Sequence, residues 1–233
     1  MAEINFWRTP QYITCFFEKK DYFYHKITSM ATATLVEREK MTAEEYLKME
    51  REGIRELDGK YEFYNNQIRF MAGATPNHNS IHKNAIFTLE AQIREKSEDF
   101  DLYHNDIRVV SHLPHKDYFY PDIIIVKGKP YFDDENNDNL ANPKVVIEVL
   151  SASTEAFDRG DKFKSYRKIA SLDEYILINQ KDACIEQFYR DETGRWQFGD
   201  IITEGTFTLR SLPFELKIDQ VYRKIDFSAK SEL

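Results

Sequence analysis

Two short apolar stretches decide the fold, Tyr120-Pro121-Asp122-Ile123-Ile124-Ile125-Val126 and Val145-Val146-Ile147-Glu148-Val149-Leu150. Both are continuous, rich in Val and Ile, and bounded by turn-forming residues, which is typical of strands buried on both faces of a sheet. Each contains one carboxylate, Asp122 or Glu148. A buried carboxylate loses its hydration and needs a cation, hydrogen bonds or a proton to offset that cost. Two such carboxylates on neighbouring strands would repel each other, so we expect a metal ion between them.

The chemistry of these residues indicates which metal would bind. Pro121 cannot donate to a central ladder, so it marks the start of a strand that begins at Asp122. If the two strands pair, Asp122 lies close to Glu148. Mg²⁺ prefers oxygen ligands and commonly takes only one or two carboxylates. Both carboxylates and the backbone carbonyl of Val149 would suit it, and such an ion can activate water and stabilise charge on a phosphoryl oxygen.

The rest of the chain alternates helical and strand patterns. A capping box begins a short helix at Thr42, Asn65-Asn66 is the turn of a hairpin, and Thr75-Pro76 begins a long amphipathic helix to about Ser97. The further predicted elements are a strand over 102–110, a polar surface loop over 133–143, a helix over about 158–169, a strand over 174–179, and strands with turns over 185–225. Strands that follow one another and also alternate with helices predict an α/β fold with a mixed sheet.

Length and composition restrict the class of protein. At 233 residues the chain is expected to be one ordinary domain or a domain with an appendage, and we divide it into an N-terminal extension (1–37), a main domain (38–227) and a C-terminal tail (228–233). Met30 is the hypothesised natural start. No stretch approaches the roughly 20 apolar residues of a membrane span. Cys15 and Cys184 lack ligand spacing, which favours ordinary thiols in the cytoplasm. The net charge of −8 argues against non-specific coating of duplex DNA.

An ordered set of motifs resembles a known family. It consists of Tyr120-Pro121-Asp122, Glu148-Val149-Leu150-Ser151-Ala152-Ser153-Thr154, Asp158-Arg159-Gly160-Asp161-Lys162 with Tyr166, and Glu174-Tyr175. Over about residues 38–227 the chain is similar to the Uma-type family of proteins classed as restriction endonucleases, in the PD-(D/E)XK nuclease superfamily. The resemblance implies a restriction-endonuclease-like mixed β-sheet flanked by helices, and an endonuclease that hydrolyses DNA phosphodiester bonds.

The resemblance also implies roles for particular residues. Asp122 and Glu148 would bind Mg²⁺, for which Mn²⁺ could substitute, and would act in catalysis together with Lys162. The superfamily usually has Lys two residues after the Glu, where this chain has Leu150. Lys162 on the next helix is the matching candidate. Nearby carboxylates keep a Lys protonated, so we expect it to orient the attacking water and stabilise transition-state charge rather than act as base.

Further residues are expected to support this site. His78 would lie at its rim, in a first helical turn where backbone N–H groups favour phosphate. Tyr166 would share a helix face with Lys162, Arg159 would contact substrate, and Glu62 is a candidate third acidic ligand. The expected partners are DNA and a second copy of the chain, because duplex cleavage with one site per chain needs two subunits. No membrane partner is expected, and no nucleotide cofactor, since the chain has neither a P-loop nor a G-x-G-x-x-G fingerprint.

Structural interpretations remain open beside the functional ones. Glu148 could be paired with Lys162 or Arg159 without any metal, Asp122 could merely cap a strand, and Tyr166 could be a core residue. His78 and His82 have zinc-ligand spacing on a helix but lack an obvious third ligand. Two other functions also stay open. One is a catalytically inactive nuclease-fold module that binds nucleic acid or a protein, and the other is a metal-assisted hydrolase acting on nucleotides or RNA.

Overall fold

The computed structural model describes residues 40–54, 59–71, 73–96, 99–112 and 115–228. The chain divides into two compact units, Met1–Met71 and Ala72–Leu233. The predicted extension 1–37 with its start at Met30 lies outside the described residues, as do positions 229–233 of the predicted tail. Within the described part of the chain, no helix is long and apolar enough to span a bilayer.

The first unit contains helix α1 (Ala43–Glu52) and strands β1 (Tyr61–Tyr64) and β2 (Gln67–Phe70). The capping box at the start of α1 is confirmed, because the Thr42 hydroxyl accepts from the Glu45 amide at 3.2 Å and the Glu45 carboxylate accepts from the Thr42 amide at 2.9 Å. The hairpin is also confirmed. Asn65 and Asn66 both have left-handed backbone angles, φ 51° and 63°, as a tight turn between β1 and β2 requires.

The second unit contains most of the strands. They are β3 (Phe100–His104), β4 (Arg108–Ser111), β5 (Asp117–Phe119), β6 (Ile123–Lys127), β7 (Asn139–Leu140), β8 (Val145–Val149), β9 (Glu174–Ile178), β10 (Ile185–Arg190), β11 (Trp196–Ile202), β12 (Thr206–Thr208) and β13 (Glu215–Lys217). Its helices are α2 (Pro76–Lys96), α3 (Glu155–Phe157), α4 (Phe163–Tyr166) and α5 (Ile218–Val221), with a π-helical turn, Asp158–Lys162, between α3 and α4.

A six-stranded mixed sheet forms the centre of this unit. Its strand order is β11-β10-β9-β8-β6-β3. The β8–β9 pair is parallel, and the other neighbours in this sheet are antiparallel. Strand β8 is therefore central, and every one of its residues is buried. This mixed sheet with helices confirms the α/β class predicted from the sequence.

The two faces of β8 have different neighbours. Residues 145, 147 and 149 belong to the main apolar core, together with the stripe of α2 formed by Ile81, Ala85, Leu89 and Ile93. Side chains alternate along a strand, so Glu148 points to the opposite face. There it meets the helical segment formed by residues 155–166, which packs against the sheet through Phe163 and Tyr166. The central strand thus directs its one carboxylate away from the aliphatic core.

The strand predicted over 102–110 is wrong as a single element. It is two strands, β3 and β4, which pair in different sheets. The break falls at Asn105, whose φ of 63° is left-handed, and the Asp106 amide bonds the His104 carbonyl at 2.9 Å. Asn tolerates this backbone conformation better than most residues. The Asn105-Asp106 dipeptide was the sequence signal for the turn.

The polar loop predicted over 133–143 is only partly at the surface. It contains the short strand β7, and Asn139 and Leu140 are fully buried. Arg108 explains this burial, since its Nε donates to the Asn139 side-chain oxygen at 2.7 Å and its guanidinium also pairs with Asp138. A buried guanidinium needs acceptors, and the loop supplies them. Its polar residues therefore form internal contacts that composition alone does not indicate.

The helix predicted over 158–169 is shifted and irregular. The helical segment begins at Glu155 and ends at Tyr166, and its middle is π-helical from Asp158 to Lys162. A π-turn adds about one residue to a helical turn and is found frequently at functional sites. Here it occurs between the two residues, Asp158 and Lys162, whose side chains meet beside Glu148.

Two residues of α2 that are two positions apart offer a matched test of which face of this helix is buried. Leu89 is fully buried, whereas 69% of the Phe87 surface is exposed. We expect Leu89→Ala to lower the free energy of unfolding by about 2–5 kcal/mol, because a cavity remains in the core. Phe87→Ala should change it by less than about 0.5 kcal/mol. Urea denaturation measures the free energy of unfolding of both variants. Equal losses of this free energy in the two variants would contradict the packing of α2.

Candidate active site

The two acidic residues lie at the same end of neighbouring strands. Strands β6 and β8 pair antiparallel, with Ile123 opposite Ile147. Continuing that register by one residue puts Asp122 opposite Glu148. Directly opposed residues of an antiparallel pair project to the same face. The predicted pairing of the two strands is confirmed, and both carboxylates come from the end of the sheet where β8 leads into the helical segment.

Asp122 closes the end of the β6–β8 ladder with its side chain. One carboxylate oxygen, Oδ2, accepts from the Val149 amide at 2.7 Å and lies 3.3 Å from Nε2 of His78. The Asp122 backbone carbonyl contacts Nε2 of His82 at 2.9 Å. The strand-capping interpretation therefore holds for Oδ2. The other oxygen, Oδ1, has no hydrogen bond or ion pair with any of the described residues, and 19% of the side chain is exposed.

His78 and Asp122 shift each other's pKa. Burial lowers the pKa of His78, but the hydrogen bond and negative charge of Asp122, the Val149 backbone and the charge of Asp158 outweigh it and raise the pKa above 6.5. Burial likewise works to raise the pKa of Asp122, yet His78 and the Val149 amide hold it below its ordinary value. For His82 burial dominates, and its pKa falls. The pair therefore favours a protonated His78 beside an ionised Asp122.

This pair stabilises the fold within a defined pH window. The raised pKa of His78 means that its contribution is fully present below pH 6.5 and is lost as pH rises through the folded-state value. The lowered pKa of Asp122 means that its contribution is present above 3.8 and is lost as pH falls through its folded-state value. The interaction is therefore strongest in mildly acidic solution.

Glu148 is neutralised by a buried ion pair. Its Oε1 lies 2.8 Å from the Lys162 ammonium and accepts from the Tyr166 hydroxyl at 3.2 Å. The side chains of Glu148 and Lys162 are only 5% and 3% exposed. The ammonium also lies over the rings of Phe119 and Tyr166, at 5.9 and 6.0 Å from their centroids. Lys162 therefore has the place that the sequence predicted, beside the carboxylate of the central strand.

Asp158 is a site residue that the sequence analysis did not select. It is 3% exposed, and its Oδ1 lies 3.5 Å from the Lys162 ammonium. Its backbone carbonyl accepts from the Tyr175 hydroxyl at 3.0 Å. Burial, with the charges of Glu148 and Asp158, raises the pKa of Tyr175 well above 10, so this hydroxyl stays a donor. The i, i+4 spacing of Asp158 and Lys162 was the available signal.

The other residues predicted to support the site are Arg159, Tyr166 and Glu62, and each has different contacts. Arg159 holds Glu186 through two contacts, one of them 2.6 Å long, and also Glu155. These partners raise its pKa, with the Glu186 hydrogen bond the largest cause. Tyr166 is fully buried, which agrees with a core residue that also contacts the site. Glu62 lies on β1 in the first unit, and its role as a ligand stays a prediction, as does substrate binding by Arg159.

The donor atoms suit a hard cation in their chemistry. Asp122, Glu148 and the Val149 carbonyl would provide oxygen ligands, which Mg²⁺ prefers. No group of three or more His, Cys, Asp or Glu side chains in the described residues is arranged to hold a metal ion. The ring centroids of His78 and His82 are 6.5 Å apart. Among the described residues, the zinc interpretation of this pair therefore has no third ligand. A metal held by these two carboxylates and the carbonyl would complete its coordination with further ligands.

Comparison with known proteins assigns the chain to a family. Residues 43–220 match the Uma2 family model, described as "Putative restriction endonuclease". The chain belongs to the Uma2 family. Two relatives come from Synechocystis sp. (strain ATCC 27184 / PCC 6803 / Kazusa). Protein sll1609 is 32% identical over 71% of this chain and 89% of its own length, and slr1290 is 28% identical over 81% and 94%.

A solved structure supports the fold of this Uma2 chain. It is the crystal structure of "a putative nuclease belonging to DUF820" from Anabaena variabilis ATCC 29413. It superposes with a TM-score of 0.62 at 15% identity, over 78% of this chain and 97% of that one. The fold is thus restriction-endonuclease-like, as the sequence resemblance implied, and the family assignment supports a nuclease-like function.

Histidine titrations test the electrostatics of this end of the sheet. In metal-free protein, NMR should find the pKa of His78 above 6.5 and that of His82 below it. Asp122→Asn should lower the pKa of His78, because burial then acts without the carboxylate that opposes it. The pKa of His82 should change less, since its main contact is with a backbone carbonyl. An unchanged pKa of His78 in the Asp122→Asn variant would contradict this geometry.

Proposed function

We propose that this Uma2 protein is a metal-dependent endonuclease that hydrolyses phosphodiester bonds in DNA. The observation that carries the proposal is the opposed pair of acidic residues, Asp122 and Glu148, at one end of two paired strands in a family of this description. Burying two carboxylates this close together is costly unless positive charge accompanies them. A divalent cation at this point would offset that cost where a phosphate group can also bind.

Asp122, Glu148 and the Val149 carbonyl are the proposed ligands of Mg²⁺, with Mn²⁺ as a substitute. When bound, such an ion would lower the pKa of water and stabilise negative charge on a phosphoryl oxygen. The Asp122 oxygen that bonds the Val149 amide would keep that bond. Its second oxygen would bind the ion, so metal binding would not require the strand end to open.

Lys162 would supply positive charge that does not depend on the metal. Its ammonium is held beside Glu148 and against aromatic rings, so positive charge is already at the site before substrate arrives. In this role it orients the attacking water and stabilises the charge that develops on the phosphate. Tyr166 would hold the Glu148 carboxylate in place through its hydroxyl. His78, beside Asp122 in the first turns of α2, would face the phosphate at the rim.

DNA is the proposed substrate, and a second copy of the chain the proposed partner. Lys164, Arg167 and Lys168 are exposed on and just after the helical segment that carries Lys162. They are candidates for contacts with the phosphate backbone, which position a duplex without reading its sequence. One site per chain cuts one strand, so cleavage of both strands requires two chains.

A second candidate function has an observation of its own. Glu148 is already paired with Lys162 at 2.8 Å, and both side chains are buried. A stable ion pair of this kind is what a catalytically inactive nuclease-fold module would retain, while still binding nucleic acid or a protein. Calorimetry with Mg²⁺ separates the two functions. Binding of DNA without binding of the ion favours the inactive module.

Plasmid cleavage tests the proposed activity. We expect nicking of supercoiled plasmid with Mg²⁺ or Mn²⁺, and none with EDTA. Glu148→Gln should lower the rate by at least about a hundredfold, because the stabilisation supplied by a metal is worth several kcal/mol.

Asp161→Asn is the matched control for Glu148→Gln. It removes the same charge from an exposed position on the π-helical turn. We expect it to cut at nearly the wild-type rate. Equal nicking by the Glu148→Gln and wild-type proteins would reject the proposed site.

A further inference from the structure

Lys162 lies between two buried carboxylates on different elements. Its ammonium is 2.8 Å from Oε1 of Glu148, on β8, and 3.5 Å from Oδ1 of Asp158, at the other end of the π-helical turn. The three side chains are between 3% and 5% exposed. The shorter contact makes Glu148 the principal partner. A small movement of the flexible lysine side chain would make Asp158 the principal partner instead.

Asp158 is held firmly enough to receive that charge. Its carbonyl accepts the hydroxyl hydrogen bond of Tyr175, a residue of β9. The Tyr175 ring stacks on Phe163, directly after Lys162, with centroids 5.0 Å apart and planes 9° apart. The π-helical turn is therefore attached to the sheet on both sides of the lysine. The Asp158 carboxylate therefore stays within reach of the Lys162 ammonium without a change in the helical segment.

We infer that Asp158 is a positioning residue that provides a second binding position for the Lys162 ammonium, occupied whenever Glu148 is neutralised or binds a cation. A divalent ion on Glu148 repels an ammonium 2.8 Å from the same carboxylate. A buried ammonium that is displaced from its carboxylate needs another anion within reach. Asp158 removes that conflict, because the ammonium moves along the site and remains paired.

This inference rests on the proposed function only where it concerns metal. The second binding position itself is a property of the metal-free protein. Glu148→Gln imitates neutralisation of Glu148 with almost no change in shape. In that variant the ammonium should pair with Asp158, so the loss of stability should be modest. In Glu148→Gln with Asp158→Asn, the ammonium loses the carboxylates of Glu148 and Asp158 at once.

A double-mutant cycle in EDTA measures this coupling directly. Urea denaturation of the wild type, the two single variants and the double variant gives four folding equilibrium constants. Each single variant lowers the folding equilibrium constant by some factor. We expect the double variant to lower it by roughly tenfold more than the product of those two factors. Simple multiplication of the single losses would overturn the inference, because Asp158 would then contribute equally whatever occupies position 148.

Lys162→Met serves as the suppressor if the double variant fails to fold. Adding it to Glu148→Gln and Asp158→Asn removes the buried ammonium, and folding should return. A triple variant that still fails to fold would overturn the inference. Asp161→Asn is the control for charge, since it lies on the same π-helical turn but is exposed. It should show no coupling to Glu148→Gln.

Titration with Mn²⁺ alone measures the consequence for the metal. Asp158→Asn should weaken Mn²⁺ binding roughly tenfold, and the effect should vanish in a Lys162→Met background. An unchanged affinity, or a loss that persists without the lysine, would overturn the inference, the latter by making Asp158 a direct ligand. A wild type that binds no Mn²⁺ contradicts the proposed function. The EDTA cycle still decides whether the second position exists.

Discussion

The need to neutralise Glu148 is the constraint on which this structure depends. This carboxylate lies on the central strand of a mixed sheet, where burial removes most of its hydration. Lys162 supplies the positive charge, and it does so from a helical segment that must then pack closely on the sheet. The aromatic residues of that segment and of β9 form the packed surface that excludes water around the pair. The ion pair and the packing of the segment therefore require each other.

The same requirement is met at Asp122 by a different helix. There α2, which packs on the aliphatic face of β8, brings His78 to the carboxylate at the strand end. Each acidic residue thus has a basic neighbour from a different helix. These neighbours offset the two negative charges in the metal-free protein, and under the proposed function they would adjust when a divalent ion binds. The proposed site is then a balance of charges, in which Asp158 and the second oxygen of Asp122 would provide the freedom to adjust.

The sequence predicted those features that depend on local physical rules. Buried strands around Asp122 and Glu148, the Thr42 capping box and the Asn65-Asn66 turn each have a short-range signal. The features it missed depend on contacts distant in sequence. The burial of Asn139 depends on Arg108, and the π-helical turn depends on how Tyr175 and Phe163 pack. Asp158 was visible as a motif residue with i, i+4 spacing to Lys162, and the fold shows that both side chains are buried together.

Diffraction from crystals grown with Mn²⁺ tests the central claim most directly, because the anomalous signal locates the ion without reference to activity. The account predicts a peak about 2.0–2.3 Å from an oxygen of both Asp122 and Glu148, a distance typical of divalent ions on carboxylates. It also predicts that the Lys162 ammonium lies nearer to Asp158 than to Glu148. An ordered crystal at saturating Mn²⁺ with no peak there, and with the Glu148–Lys162 contact intact, would contradict it.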